Sequence, residues 1–150
     1  NDNSNGQTVL SGNIKDLDLL IQDLNKNSIK NIKLPVSAPF HCKLMRPATE
    51  IMTKEIVETN FNDSKNFIVS NVTARETKNS NEIKELLIKQ IESPVKWRES
   101  VLYMIGSGVK KFIEIGPGKV LSGLIKRIDR SVELISINDI DDLKKFNLND

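Results

Sequence analysis

With 150 residues, a formal net charge of +2, 38% hydrophobic and 28% charged side chains, the chain has the size of one ordinary domain or part of a larger one. Enough of it is apolar to bury a core, which excludes a disordered, collagen-like or coiled-coil polypeptide, and no apolar run approaches the roughly 20 residues of a membrane helix. The near balance of 22 Lys+Arg against 20 Asp+Glu, with 5% aromatics, excludes electrostatic nucleic-acid binding. One cysteine, Cys42, and one histidine, His41, allow neither an intrachain disulfide nor a zinc cage. This cysteine usage suits a reducing compartment, cytoplasm or a plastid-like or mitochondrial stroma, and not secretion. The opening Asn1-Asp2-Asn3, without Met, signal or transit pattern, is what an excised piece of a longer polypeptide would show.

In chain order, Thr8-Val9-Leu10 reads as a strand, and Asn13 as the cap of a helix carrying Leu17, Leu20, Ile21 and Leu24 at helical spacing. A second extended segment, Ile29 to Val36, completes a predicted β-α-β stretch. Pro35 and Pro39 then predict an irregular connection through Val36 to His41, the kind of loop that often carries function. A helix with Pro47 in its first turn and Ala48, Ile51, Met52 and Ile56 on one face runs to about Asn60.

Phe67-Ile68-Val69 and Val72-Thr73-Ala74 read as two short strands or one bent one, followed by a polar stretch from Glu76 to Ser80. Asn79 with Glu82 has the spacing of a capping box and opens a helix to about Ile91, on which Gln90 falls near the side of Ile83, Leu86 and Leu87. A helix from Trp97 stops at Gly106 or Gly108, a buried strand covers Phe112 to Ile115, a helix carries Val120 to Ile128, and a strand spans Val132 to Ile137. A short last helix carries Ile140, Leu143 and Phe146. From about residue 81 this alternation predicts parallel crossover units, hence an α/β domain.

His41 is the candidate acid–base group, because an imidazole titrates near neutral pH and can take a proton from a hydroxyl nucleophile. A lone histidine is also often just a satisfied polar residue. Gly116-Pro117-Gly118-Lys119 sits between strand and helix, where backbone amides can hold anions. It lacks the spacing of a P-loop or of a dinucleotide fingerprint, so a tight turn is its expected role. Gly106-Ser107-Gly108 is not a nucleophile elbow, and Cys42, beside His41 in sequence, is expected to point away from it and pack. Lys119, Lys126, Arg127 and Arg130 make a basic helix face that solvation alone accounts for.

Three ordered blocks resemble the malonyl-CoA:acyl carrier protein transacylase family. They are Leu34-Pro35-Val36-Ser37-Ala38-Pro39-Phe40-His41-Cys42-Lys43-Leu44-Met45, then Gln90-Ile91-Glu92-Ser93-Pro94-Val95-Lys96-Trp97, then Glu114 through Leu124. The opening Asn3-Ser4-Asn5-Gly6-Gln7 also resembles a family segment, and the match covers the C-terminal half of the family. The resemblance implies that His41 is the catalytic histidine and that the main-chain carbonyl of Gln90 accepts from its second ring nitrogen. It also implies that Phe40 favours malonyl over branched acyl groups and that Asn3 and Gln7 border the cleft, with Asn3 a substrate-binding candidate. The implied substrates are malonyl-CoA and the phosphopantetheine thiol of acyl carrier protein, joined through a serine acyl-enzyme for fatty acid synthesis, with no cofactor and no metal.

The implied fold is the C-terminal part of an α/β hydrolase-like acyltransferase domain, residues 37–150. It is preceded by part of an inserted ferredoxin-like β-α-β subdomain, residues 1–36. The family's serine elbow, its malonyl-gripping arginine and its oxyanion-hole donors are not found here, so the implied partner is the N-terminal half of the same enzyme. Without it the chain is expected to be inactive and to expose apolar surface. Related alternatives are the acyltransferase domain of a polyketide or multifunctional fatty acid synthase, and a non-catalytic carrier-protein-binding module.

Overall fold

The computed structural model describes residues 1–146, so the last four residues of the predicted 37–150 unit lie outside the described residues. The chain starts with a hairpin, where β1 (Asp2–Ser4) pairs antiparallel with β2 (Gln7–Thr8). The expected strand at Thr8 therefore begins one residue early and acquires a partner that sequence did not suggest. The hairpin packs on two later helices, α4 (Trp97–Gly106) and α5 (Val120–Ile128), and is tied down there. The Asp2 N–H donates to Val95 O at 2.9 Å, and its carboxylate takes Arg98 Nη2 at 2.8 Å.

Asn13 begins α1 (Ile14–Lys26) as expected, its Oδ1 accepting the Lys15 N–H at 2.9 Å and so satisfying one of the unpaired donors of the first turn. No residue of α1 is buried. The predicted strand from Ile29 to Val36 does not form. A strand persists only where its N–H and C=O groups find a neighbouring strand, and among the described residues none lies beside this run, so Ile32 stays 75% exposed. Over residues 1–36 the described chain thus shows a hairpin, a helix and an irregular extended segment where the spacing predicted a β-α-β stretch.

A single 3-10 turn (Lys43–Met45) leads into α2 (Arg46–Glu58), with proline in its first turn. The second hairpin, β3 (Ile68–Val69) and β4 (Glu76–Thr77), corrects another expectation. Val72 to Ala74 is the turn, and the partner strand lies in the stretch taken as merely polar. Ala74 is the reason: it is fully buried with φ +54°, a left-handed conformation that reverses the chain. Its N–H donates to Ser70 O at 2.8 Å, closing the turn.

At α3 (Ser80–Lys89) the cap is where the spacing placed it, with Asn79 Oδ1 accepting the Glu82 N–H at 3.0 Å. The reciprocal half of the capping box is taken over by Thr77. Its hydroxyl donates to the Glu82 carboxylate and accepts the Asn79 N–H at 3.3 Å, so Thr77, buried at the end of β4, stands between them.

The remaining elements are α4 (Trp97–Gly106), β5 (Lys111–Ile115), α5 (Val120–Ile128), β6 (Glu133–Ile137) and α6 (Ile140–Lys145). β5 and β6 pair in parallel, Lys111 opposite Glu133 and Ile115 opposite Ile137, with α5 as the crossover that the alternation predicted. Val101 of α4, Leu124 and Ile125 of α5, and Ile137 of β6 are buried and form the core of this α/β part. Parallel sheets are normally covered on both faces. Here Ile115 is 79% and Val120 71% exposed, in line with the expected apolar surface.

Between β5 and α5 the chain makes the expected tight turn. Gly116 (φ +132°) and Gly118 (φ +96°) occupy backbone conformations closed to other residues, although a Cβ would meet nothing within 4 Å at either, so the constraint is conformational and not spatial. The amides at the start of α5 are already satisfied from within. Glu114 accepts the Leu121 N–H at 3.0 Å and the Ser122 N–H at 2.7 Å, placing a carboxylate where an anion would bind. Burial pushes the Glu114 carboxyl up, but its hydrogen bonds from Ser122, Leu121 and Val120 together outweigh this and hold it below the ordinary carboxylate value.

Because the folded-state value is lowered, this carboxylate stabilises the fold above the unfolded value of about 4.3, and the contribution is lost as pH falls through the lower folded value. Glu114→Gln is therefore expected to lower stability by about 1 kcal/mol at neutral pH, the scale of a lost helix cap. The gap between parent and variant should close as urea midpoints are measured at progressively lower pH below about 4. A gap that widened on acidification would contradict the capping role.

Candidate active site

His41 sits in the connection between Pro39 and the 3-10 turn, half-buried, with φ +61°. That left-handed conformation is unusual for a residue with a Cβ and persists only where its surroundings hold it. Three contacts do so. The Cys42 thiol donates to Pro39 O at 3.2 Å, which turns the sulfur back along its own loop. The Ser11 hydroxyl donates to Phe40 O. The His41 ring reaches 49 residues along the chain, with Nδ1 2.9 Å from Gln90 O.

The end of α3 explains why that carbonyl is available. The last carbonyls of a helix have no partner within it, and Gln90, with φ −65° and ψ −19°, is the cap that follows Lys89. A carbonyl only accepts, so Nδ1 is the nitrogen that carries hydrogen. In the neutral ring Nε2 then has a free lone pair, and among the described residues the ring is oriented by a carbonyl and not by a carboxylate. Gln90 also lines a mostly apolar groove of about 230 Å³ with Ile68, Val69, Leu86 and Leu87, the side that its helical spacing indicated.

Of the four site candidates, the structure brings His41 and Gln90 into contact and keeps Phe40 beside them in the loop, its side chain 51% exposed. Asn3 makes no hydrogen bond with them. It lies half-buried in β1, in the hairpin held against α4 and α5, and among the described residues its side chain hydrogen-bonds to none of the other three. Gln7 likewise engages elsewhere, its Oε1 accepting from the Arg127 guanidinium. Ser11 was not singled out from sequence, and nothing in its spacing marks it. Among the described residues no cluster of three or more His, Cys, Asp or Glu side chains is placed to hold a metal ion, and no helix is long and apolar enough to cross a membrane.

No protein-family model matches the chain. It is 42% identical, over its whole length, to the malonyl CoA-acyl carrier protein transacylase of Staphylococcus aureus, of which it spans 49%. Among solved structures, it superposes on an acyl carrier protein S-malonyltransferase from Vibrio cholerae with a TM-score of 0.79 and 40% identity. That match covers 87% of this chain and 44% of the other. It also superposes on a chain from the complex of a type II polyketide acyl-carrier protein with its malonyl-transacylase, with a TM-score of 0.85 and 30% identity over 93% of this chain and 45% of that one. The chain thus spans about half the length of the relatives it matches. In sequence and in fold it is homologous, over that half, to the malonyl CoA-acyl carrier protein transacylases.

Proposed function

We propose that the chain supplies the acid–base half of an acyltransferase site. This site moves malonyl from malonyl-CoA to the phosphopantetheine thiol of acyl carrier protein, through an ester on a serine hydroxyl contributed from outside these residues. Nε2 of His41 takes the serine proton as its oxygen attacks the thioester carbonyl. The new C–O bond forms, the C–S bond breaks, and the same proton goes to the departing coenzyme A sulfur. In the second half the imidazole takes the proton of the carrier thiol, the sulfur attacks the ester, and the proton returns to the serine oxygen.

The contact that carries this reading is His41 Nδ1 to Gln90 O at 2.9 Å, because in the neutral ring it puts the hydrogen on Nδ1 and leaves the Nε2 lone pair free. Gln90 acts through its backbone, in the place where a triad carboxylate would stand. Phe40 crowds the acyl α-carbon, a discrimination by apolar volume that is worth about 1 to 3 kcal/mol. Asn3 borders the substrate cleft from the hairpin. The site calls for no cofactor and no metal of its own, and the partners are malonyl-CoA, the carrier protein and the half that bears the serine. A reducing interior, cytoplasm or organelle stroma, is where such thioester chemistry and an unpaired Cys42 belong.

A second reading keeps the chemistry and changes the carrier, on the strength of the likeness to the transacylase in the polyketide carrier complex. Intact mass spectrometry tests both. The protein containing this chain together with its serine-bearing half is incubated with malonyl-CoA and either a fatty-acid or a polyketide acyl carrier protein. One malonyl group on the fatty-acid carrier, with none on the 150 residues alone, is the expected result. Transfer confined to the polyketide carrier would favour the second reading, and transfer to neither would overturn both. Gln90→Ala is expected to reduce the rate much less than removal of His41, since the backbone carbonyl survives the change. Equal losses with unchanged melting would refute the backbone role.

A further inference from the structure

The loop that carries His41 is pinned from two separate parts of the fold. The ring is held from the end of α3, and the peptide before it from the segment that joins the N-terminal hairpin to α1, where Ser11 donates to Phe40 O. The carbonyl of Phe40 belongs to the peptide plane whose rotation sets φ of His41. That φ is +61°, a conformation from which a residue with a Cβ relaxes unless it is constrained. The hairpin behind Ser11 is itself fastened to α4, with Arg98 Nε 2.9 Å from Asp2 Oδ2.

We propose that Ser11 is a positioning residue for His41: its hydroxyl locks the Phe40–His41 peptide in the left-handed conformation that carries Nδ1 to the Gln90 carbonyl. The consequence for transfer rests on the reading of His41 as the general base, whereas the consequence for the ring does not. Without the hydroxyl, the peptide plane is free to rotate and the Nδ1–H to Gln90 contact is populated less. More molecules then hold the hydrogen on Nε2, where it blocks the lone pair that the reaction needs.

The 150 residues contain one histidine, so the imidazole gives a single, unambiguous pair of ¹⁵N resonances that report which nitrogen is protonated. In Ser11→Ala these are expected to shift toward the Nε2–H form while the backbone amides of α4 and α5 hold their positions. Ser11→Thr, which keeps the hydroxyl, restores the parent signal. In the complete transferring protein, Ser11→Ala should lower kcat about tenfold, the scale of one lost hydrogen bond, and leave KM for malonyl-CoA within about twofold. Imidazole resonances unchanged in Ser11→Ala would overturn the proposal, as would a loss of amide dispersion across the whole spectrum or a failure of Ser11→Thr to restore the signal. The resonance test needs no turnover, so an absence of malonyl transfer would sink the proposed function and leave the role of Ser11 to be decided by the ring.

Discussion

His41→Ala is expected to lower malonyl transfer by about 10²- to 10⁴-fold, the contribution of a positioned acid–base group, with little change in the urea midpoint. Among the described residues the half-buried ring has one hydrogen bond to lose, to Gln90 O, so the fold gives up far less than the reaction does. His41→Gly is the informative companion. Glycine accepts φ +61° without strain, so it removes the imidazole while relaxing the loop. Comparable rate losses in the two variants locate the effect in proton transfer, whereas a near-normal rate in the glycine variant would place it in the backbone. Full transfer by His41→Ala, read as the rate at which the carrier protein gains malonyl, would end the mechanism.

Val101→Asp is expected to be the most damaging single change to the fold. Val101 is fully buried at the centre of α4, on the helix that packs against α5 and the N-terminal hairpin. A carboxylate there has no partner, and an uncompensated buried charge costs about 3 to 5 kcal/mol, a large fraction of the 5 to 15 kcal/mol that typically separates native from unfolded. Its neighbour Leu102 is 48% exposed, and Leu102→Asp should shift stability by no more than about 0.5 kcal/mol. Urea midpoints of the two variants measured side by side test the argument. Similar shifts in both would mean that the face of α4 assigned to the core is wrong.

Features that depend on a few adjacent residues were legible in advance. Asn13 and Asn79 start helices by offering a side-chain oxygen to amides two or three residues on, and the glycines at 116 and 118 permit a turn that few other residues can make. Features that depend on a neighbour were not. Ile29 to Val36 has the composition of a strand but, among the described residues, no strand beside it, and Val72 to Ala74 became a turn once Ala74 was buried in a left-handed conformation. Thr77 looked like part of a polar stretch and is in truth a buried strand residue that splits the capping box.

The same division runs through the site. The sequence by itself determined the chemical inventory: one imidazole in a proline-bounded loop, no metal cage, and three ordered blocks that resemble one enzyme family. It also determined the helical face of Gln90, because that face follows from a period of 3.6 residues. The resemblance had named the Gln90 main-chain carbonyl as the partner of the ring; only the tertiary structure set Nδ1 2.9 Å from it across 49 residues and placed the Ser11 hydroxyl on the peptide before His41. These are contacts between unpaired groups at the ends of separate elements. Such groups meet only when packing brings the elements together, and no local rule of spacing records that meeting.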